Sequence, residues 1–277
     1  MPNVTAETDA PDAASSLLAF FGTELSRLRS ERGMSQGKLA KAAYTTQAMI
    51  SYVENAERVP SPELAQNLDT ALETAGHFTR LYPLVVRYAY PTWFLPFIEL
   101  ERDATTMRVF EAQIIPGLLQ TKDYARAMLS AVRPDNLSDL VAARMSRQEL
   151  FEREVTPRMW FIMDEQVLQR PIGGDDVWRA QLGHLLRRAE SPRTLVQVIP
   201  RKVVAHAGLA GPFTLLTFEK EAPDVLYVDG FSQGRTALES REVADGAHAY
   251  DLLRAVALSP EDTAELIGDY MEGRTEP

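Results

Sequence analysis

Met34-Ser35-Gln36-Gly37-Lys38-Leu39-Ala40, followed by Thr45-Thr46-Gln47-Ala48-Met49-Ile50-Ser51-Tyr52-Val53-Glu54, is the stretch on which the reading of this chain turns. Ser35 predicts a helix N-cap, because its hydroxyl can accept from a free amide of the first turn. Leu39, Ala40 and Ala43 then fall on one face of that helix. Thr45 offers a second N-cap, and Ile50 and Val53 repeat at i, i+3 as the buried stripe of the helix after it. The pattern predicts two short helices joined by a tight turn, the second polar on its outer face.

Such a pair is a helix-turn-helix. At about 100° per residue, Ile50 and Val53 point inward with Thr46 beside them, and Gln47, Ala48, Ser51, Tyr52 and Asn55 lie on the opposite side. Gln can bond adenine bidentately, and Ala can meet a thymine methyl. Gln47, Ala48, Ser51 and Tyr52 are therefore the expected base readers of a DNA major groove. Arg29, Gln36, Lys38, Thr46 and Asn55 are the expected contacts to its phosphate backbone. A helical hairpin in some other core is the competing reading, since polar residues opposite an apolar stripe mark any surface helix.

The surrounding residues carry a resemblance. Leu28-Arg29, Arg32-Gly33-Met34-Ser35-Gln36, Leu39-Ala40, Thr45-Thr46-Gln47, Ile50-Ser51, Val53-Glu54-Asn55 and Arg58-Val59-Pro60-Ser61 stand as in the phage-repressor type of helix-turn-helix, the xenobiotic-response-element class. The resemblance implies a five-helix, DNA-binding domain. One position departs: Tyr44 stands where the turn usually carries Gly. A positive φ there would cost Tyr44 about 1 kcal/mol.

The sequence has 277 residues and a net charge of −10, with hydrophobic residues at 45%. That apolar content supports a real core. The lack of cysteine excludes disulfides and thiolate metal sites. There is no run of 18 apolar residues for a membrane span and no basic leader before an apolar core, so a cytoplasmic protein is expected. An acidic chain looks wrong for a DNA binder, but the charge is uneven. Residues 20–60 hold six bases (Arg27, Arg29, Arg32, Lys38, Lys41, Arg58) against four acids. Local charge counts for more than the total, because screening acts over roughly 8 Å at physiological salt. So weak a local excess makes a homodimer the expected binding form.

Three regions are expected: a disordered tail over 1–16, the helix-turn-helix domain over 17–90, and a regulatory or partner-binding domain over 91–277. Helices are predicted at Leu17–Glu31, with Gly33 as left-handed cap, after the Ser61-Pro62 start, and from His77 to about Ala89. The segment 91–100 is too apolar for a solvated linker. Thr121 is read as the cap of a helix, and Leu137–Glu154 as another. From Pro157 the period changes. Strands are predicted at 158–163, 194–199, 212–218 and 225–228, and helices at 176–189, 250–258 and from Ser259-Pro260 to near Gly273. The fold class is mainly α with an α+β C-terminal part, a small antiparallel sheet faced by helices.

This second region also resembles a known one. Trp93-Phe94, Glu99-Leu100-Glu101, Ile115-Pro116-Gly117-Leu118-Leu119-Gln120-Thr121, Tyr124-Ala125, Arg147-Gln148, Asp164-Glu165, Val198-Ile199-Pro200, Gly211-Pro212-Phe213 and Tyr227-Val228 are similar to the C-terminal domain of actinobacterial antitoxin-like transcriptional regulators. The resemblance implies regulation and a small partner protein encoded nearby, but no firm chemistry. Trp93, Pro116, Gly117, Leu118 and Gln120 are the expected docking surface for that partner or for a small-molecule effector. A tight turn packing two helices is the simpler account of the last four.

Catalysis, cofactor and metal are not expected. His77, His184, His206 and His248 show no metal-ligand spacing, and Gly173-Gly174-Asp175-Asp176 lacks a phosphate-loop pattern and reads as a turn with Asp as N-cap. Asp164-Glu165 has no nucleophile marked beside it. The function implied is a DNA-binding transcriptional regulator whose C-terminal domain takes a partner or ligand. The alternative is an antitoxin-like protein that sequesters a small partner, with DNA binding serving autoregulation.

Overall fold

The computed structural model describes residues 11–219, 222–230 and 233–274. In chain order these form α1 (Leu17–Glu31), α2 (Gln36–Ala42), α3 (Gln47–Glu54), α4 (Pro62–Leu72), α5 (His77–Ala89), α6 (Leu95–Asp103), β1 (Thr106–Glu111), α7 (Lys122–Ser130), α8 (Leu137–Ser146), β2 (Arg158–Asp164), α9 (Asp175–Ala189), β3 (Thr194–Ile199), β4 (Phe213–Thr217), β5 (Val225–Val228), β6 (Arg235–Ala237), α10 (Ser240–Val256) and α11 (Pro260–Glu272). They divide into two compact units. One holds 11–91 with Arg133–Ser146, the other Thr92–Val132 with 147–274.

The first unit contains α1 to α5 as the sequence reads, and α8 in addition. Phe21, Leu25, Leu39, Ile50, Val53, Leu68 and Phe78 are fully buried, each contributing about 1.5–3 kcal/mol of transfer energy. Phe21 and Phe78 meet with ring centroids 4.9 Å apart. At Gly22 the approach is closest: a Cβ there would lie 2.4 Å from the Val53 carbonyl oxygen, so α1 rests directly on the backbone of α3. The start of α5 has no side-chain cap of its own. Asp69 supplies one, accepting from the Phe78 and Thr79 amides at 2.9 and 2.8 Å and from the Thr74 and Thr79 hydroxyls. Burial works against the Asp69 charge, but the Thr74 and Thr79 bonds outweigh it and hold its pKa below the ordinary value.

Helix α8 corrects the reading of 137–154 as one helix of the second domain. The helix stops at Ser146, and Arg147–Glu152 continues as a 3-10 turn of the other unit. Polar bonds tie α8 to the first five helices. Tyr90 donates to the Ala143 carbonyl at 2.8 Å, the Val59 amide to Ser146 Oγ at 2.7 Å, and Ser16 Oγ to Asp139 at 2.9 Å. Of the expected disordered tail, residues 1–10 lie outside the described residues, whereas 11–16 are folded onto α1. Thr23 donates to the Pro11 carbonyl at 3.1 Å, and Ser16 is the N-cap of α1.

The second unit is built on a sheet that has, among the described residues, six strands in the order β3-β2-β1-β4-β5-β6. The expected antiparallel sheet is corrected to a mixed one. β1, β2 and β3 are parallel, and β4, β5 and β6 continue antiparallel from β1. Helix α9 bridges β2 and β3, the crossover that parallel strands require. Side chains alternate across the sheet. Met107, Val109, Phe161, Met163, Val196, Val198 and Leu216 enter one core with Trp178, Leu182 and Leu185 of α9 and Ile267 of α11. Phe110, Ile162, Phe213, Leu215 and Leu226 enter the other with Tyr250 and Leu253 of α10. Strands β1 and β6 were not predicted, and α10 begins ten residues before its expected start. Gly174, not Asp, occupies the N-cap of α9, with Asp175 and Asp176 in its first turn.

Candidate nucleic-acid interface

Helix α2 begins at its N-cap Ser35, whose hydroxyl accepts from the Lys38 amide at 3.2 Å. The turn that follows places Tyr44 at φ 54°, the left-handed conformation the sequence made suspect. The cap of α3 is Thr46 and not Thr45: its hydroxyl accepts from the Met49 amide at 3.1 Å. This one-residue shift turns Thr46 out to solvent, instead of inward beside Ile50.

The buried side of α3 is Ile50, Val53 and Glu54. Gln47, Ala48, Tyr52 and Asn55 are exposed and Ser51 half-buried, so the five side chains expected on the outer face are together there. The Gln47 amide lies over the first turn of α2, with its Oε1 3.6 Å from where a Gly37 Cβ would stand. The Arg58 guanidinium sits over the Tyr52 ring at 5.2 Å, so Tyr52 is partly held. Asn55, the C-cap residue, donates to Ser51 Oγ at 3.4 Å. This face offers amide and hydroxyl donors and acceptors on a narrow cylinder, the chemistry that base edges of a major groove can meet.

The expected backbone contacts divide. Lys38 is exposed, and Thr46 keeps a hydroxyl proton to give. Gln36 Nε2 spends one hydrogen on Glu54 at 2.8 Å and retains the second. Arg29 is a correction. Its Nε and Nη2 bond both oxygens of Glu54 at 2.5 and 3.1 Å, and its Nη1 donates to the Met34 carbonyl at 2.8 Å. Its side chain is 14% exposed and that of Glu54 6%, so Arg29 is an interior tie from α1 to the end of α3. Glu54 was missed as the organiser of this site. A signal was present: Arg29 stands four residues after buried Leu25, and Glu54 four after buried Ile50, which puts both charges on inward faces.

The docking surface expected on the second unit is also corrected. Pro116, Leu118 and Gln120 are buried and Gly117 half-buried. Gln120 Nε2 donates to the Ile115 carbonyl, Gln148 Nε2 to the Gln120 carbonyl, and Gln181 Nε2 to the Leu119 carbonyl. These amides satisfy the carbonyls of a largely buried turn, which is the role of an interior packing element. Trp93 packs against the same core. Nearby, Arg147 makes a bidentate pair with buried Glu101 at 2.8 and 2.6 Å and lies 5.1 Å over the Phe94 ring. Tyr227 packs at a tilt on Phe97 with centroids 4.1 Å apart, and burial and then the Asp229 charge raise its pKa.

The folded chain brings Asp164 and His206 together. His206 Nε2 lies 2.9 Å from Asp164 Oδ2, while His206 Nδ1 accepts from the Gly208 amide. Both ring nitrogens are spent and the side chain is 2% exposed, which makes this a loop anchor. His184 is held near pKa 4 by burial and by Arg188 and Arg187 beside it.

Capped α2, the left-handed turn and α3 with one buried and one polar face define a helix-turn-helix protein. Residues 21–80 match the family described as Helix-turn-helix domain, which supports DNA binding and transcription regulation. Residues 94–269 match the Domain of unknown function (DUF5753), and the chain belongs to that family. No curated protein and no solved structure matches the chain. No helix of the described residues is long and apolar enough to cross a membrane.

Proposed function

We propose that this chain is a sequence-specific, non-enzymatic transcription regulator of the cytoplasm. It binds a pseudo-palindromic duplex as a homodimer, and its DUF5753 region takes a small protein encoded nearby or a small-molecule effector. The observation that carries the DNA reading is the outward face of α3: Gln47, Ala48 and Tyr52 stand exposed while Ile50 and Val53 are fully buried. Gln47 has a donor and an acceptor on one amide, the match for adenine. Selection from a random duplex pool with the full-length protein tests this. A single enriched sequence is expected. Gln47→Ala should cost about 1–3 kcal/mol on that sequence and much less on a scrambled one. Its melting temperature should hardly move, because the side chain is exposed. Ile50→Ala should lose about 2–5 kcal/mol of folding stability and binding with it. Equal weakening of both duplexes by Gln47→Ala would show that another face enters the groove.

A further inference from the structure

Tyr44 combines two features that disfavour each other. Its φ is 54°, in the region where a Cβ meets the following carbonyl and glycine is preferred. The residue is 87% exposed, so the fold gains almost no burial from its side chain in return. Five non-glycine residues have positive φ among the described residues: Tyr44, Ala56, Glu73, Ala75 and Arg133. Of these, Tyr44 alone also leaves a large apolar side chain in solvent. The turn itself is fixed, with the Thr45 amide donating to the Ala40 carbonyl at 2.9 Å. Backbone strain of this kind persists where a function uses the residue that bears it.

The flanking sequence of this turn is cationic. Between Arg32 and Glu54 the charged residues are Lys38 and Lys41, both exposed and both cationic. Tyr44 follows Lys41 by three residues and precedes Thr46, the cap of α3, by two. It therefore stands just outside the helix whose polar face is read as entering the groove, where a bound duplex presents its sugar and phosphate groups. A tyrosine can lay its ring on deoxyribose and donate its hydroxyl to a phosphate oxygen.

We propose that Tyr44 is a contact to the sugar-phosphate backbone of the duplex that α3 reads, retained there at the expense of turn stability. The proposal rests on the DNA-binding reading above. The test measures melting of the full-length protein and its binding, at one salt concentration, to the selected duplex and to a scrambled one. Tyr44→Gly should raise the melting midpoint by about 4 °C and weaken both duplexes alike, by roughly five- to tenfold. Tyr44→Phe should melt with the wild type and bind between the two. Gln47→Ala, in the same series, should lose preference for the selected duplex. If Tyr44→Gly melts higher yet binds both duplexes as the wild type does, the Tyr44 assignment falls and the DNA reading stands. A loss confined to the selected duplex would overturn the backbone contact in favour of base reading. Wild-type protein that shifts neither duplex would overturn the DNA reading and this proposal together.

Discussion

Arg29→Ala separates a structural cation from a phosphate contact. The change removes two bonds to Glu54 and one to the Met34 carbonyl. It leaves a carboxylate only 6% exposed, with Gln36 as its remaining partner in this cluster. Stranding one member of a buried pair costs about 3–5 kcal/mol. Against a total stability of roughly 5–15 kcal/mol, that shifts the unfolding constant by about two to four powers of ten. Urea unfolding of the full-length protein, followed by circular dichroism, should show an early transition belonging to the helical unit. Arg29→Met combined with Glu54→Leu should recover much of the loss, because apolar groups of similar size need no partner. Binding at several salt concentrations, on protein that is still folded, should show an unchanged slope. An Arg29→Ala variant that unfolds with the wild type and flattens the salt slope by about one would refute the interior assignment.

Two further outcomes follow from the packing. Gly22→Ala should destabilise the helical unit by about 1–3 kcal/mol, since the new Cβ would sit 2.4 Å from the Val53 carbonyl oxygen and α1 must lift away from α3; an unchanged thermal melt would contradict the close approach. Asp139 has its pKa raised above 3.8 by burial, with the Ser16 hydroxyl only partly offsetting this. The protonated form is thus the one the fold favours. Its contribution is complete below 3.8 and disappears as pH rises through the folded value. Asp139→Asn, whose side-chain oxygen can still accept from Ser16, should melt above the wild type at pH 7, and the gap should close in acid. A gap that widens on acidification would reverse the sign.

Local chemistry decided what the sequence could determine. Ser35, Ser61, Thr121 and Ser259 each cap the helix they precede, and Gly33 takes its left-handed turn, because caps depend on a residue and its next three neighbours. The i, i+3 stripe of Ile50 and Val53 fixed which side of α3 faces out, and with it the candidate reading face. Tertiary structure decided the rest. Arg108 in the middle of β1 hid a central strand, since its side chain meets Asp224 at 3.7 Å and the Tyr250 ring at 5.9 Å, both distant in sequence. The parallel pairing of β1, β2 and β3 is a choice of neighbour that period-two alternation does not encode. Arg29, basic and inside a basic stretch, reads as a phosphate contact until Glu54 appears beside it. Pro116 to Gln120 reads in the sequence either as a packed turn or as a docking surface, and amides from Gln148 and Gln181, far along the chain, decide for the packed turn by bonding its carbonyls. For Arg108, Arg29 and the 116–120 turn, a charged or polar group was placed by a partner brought from elsewhere in the chain, and a local pattern carries at most the direction the group faces, not the identity of that partner.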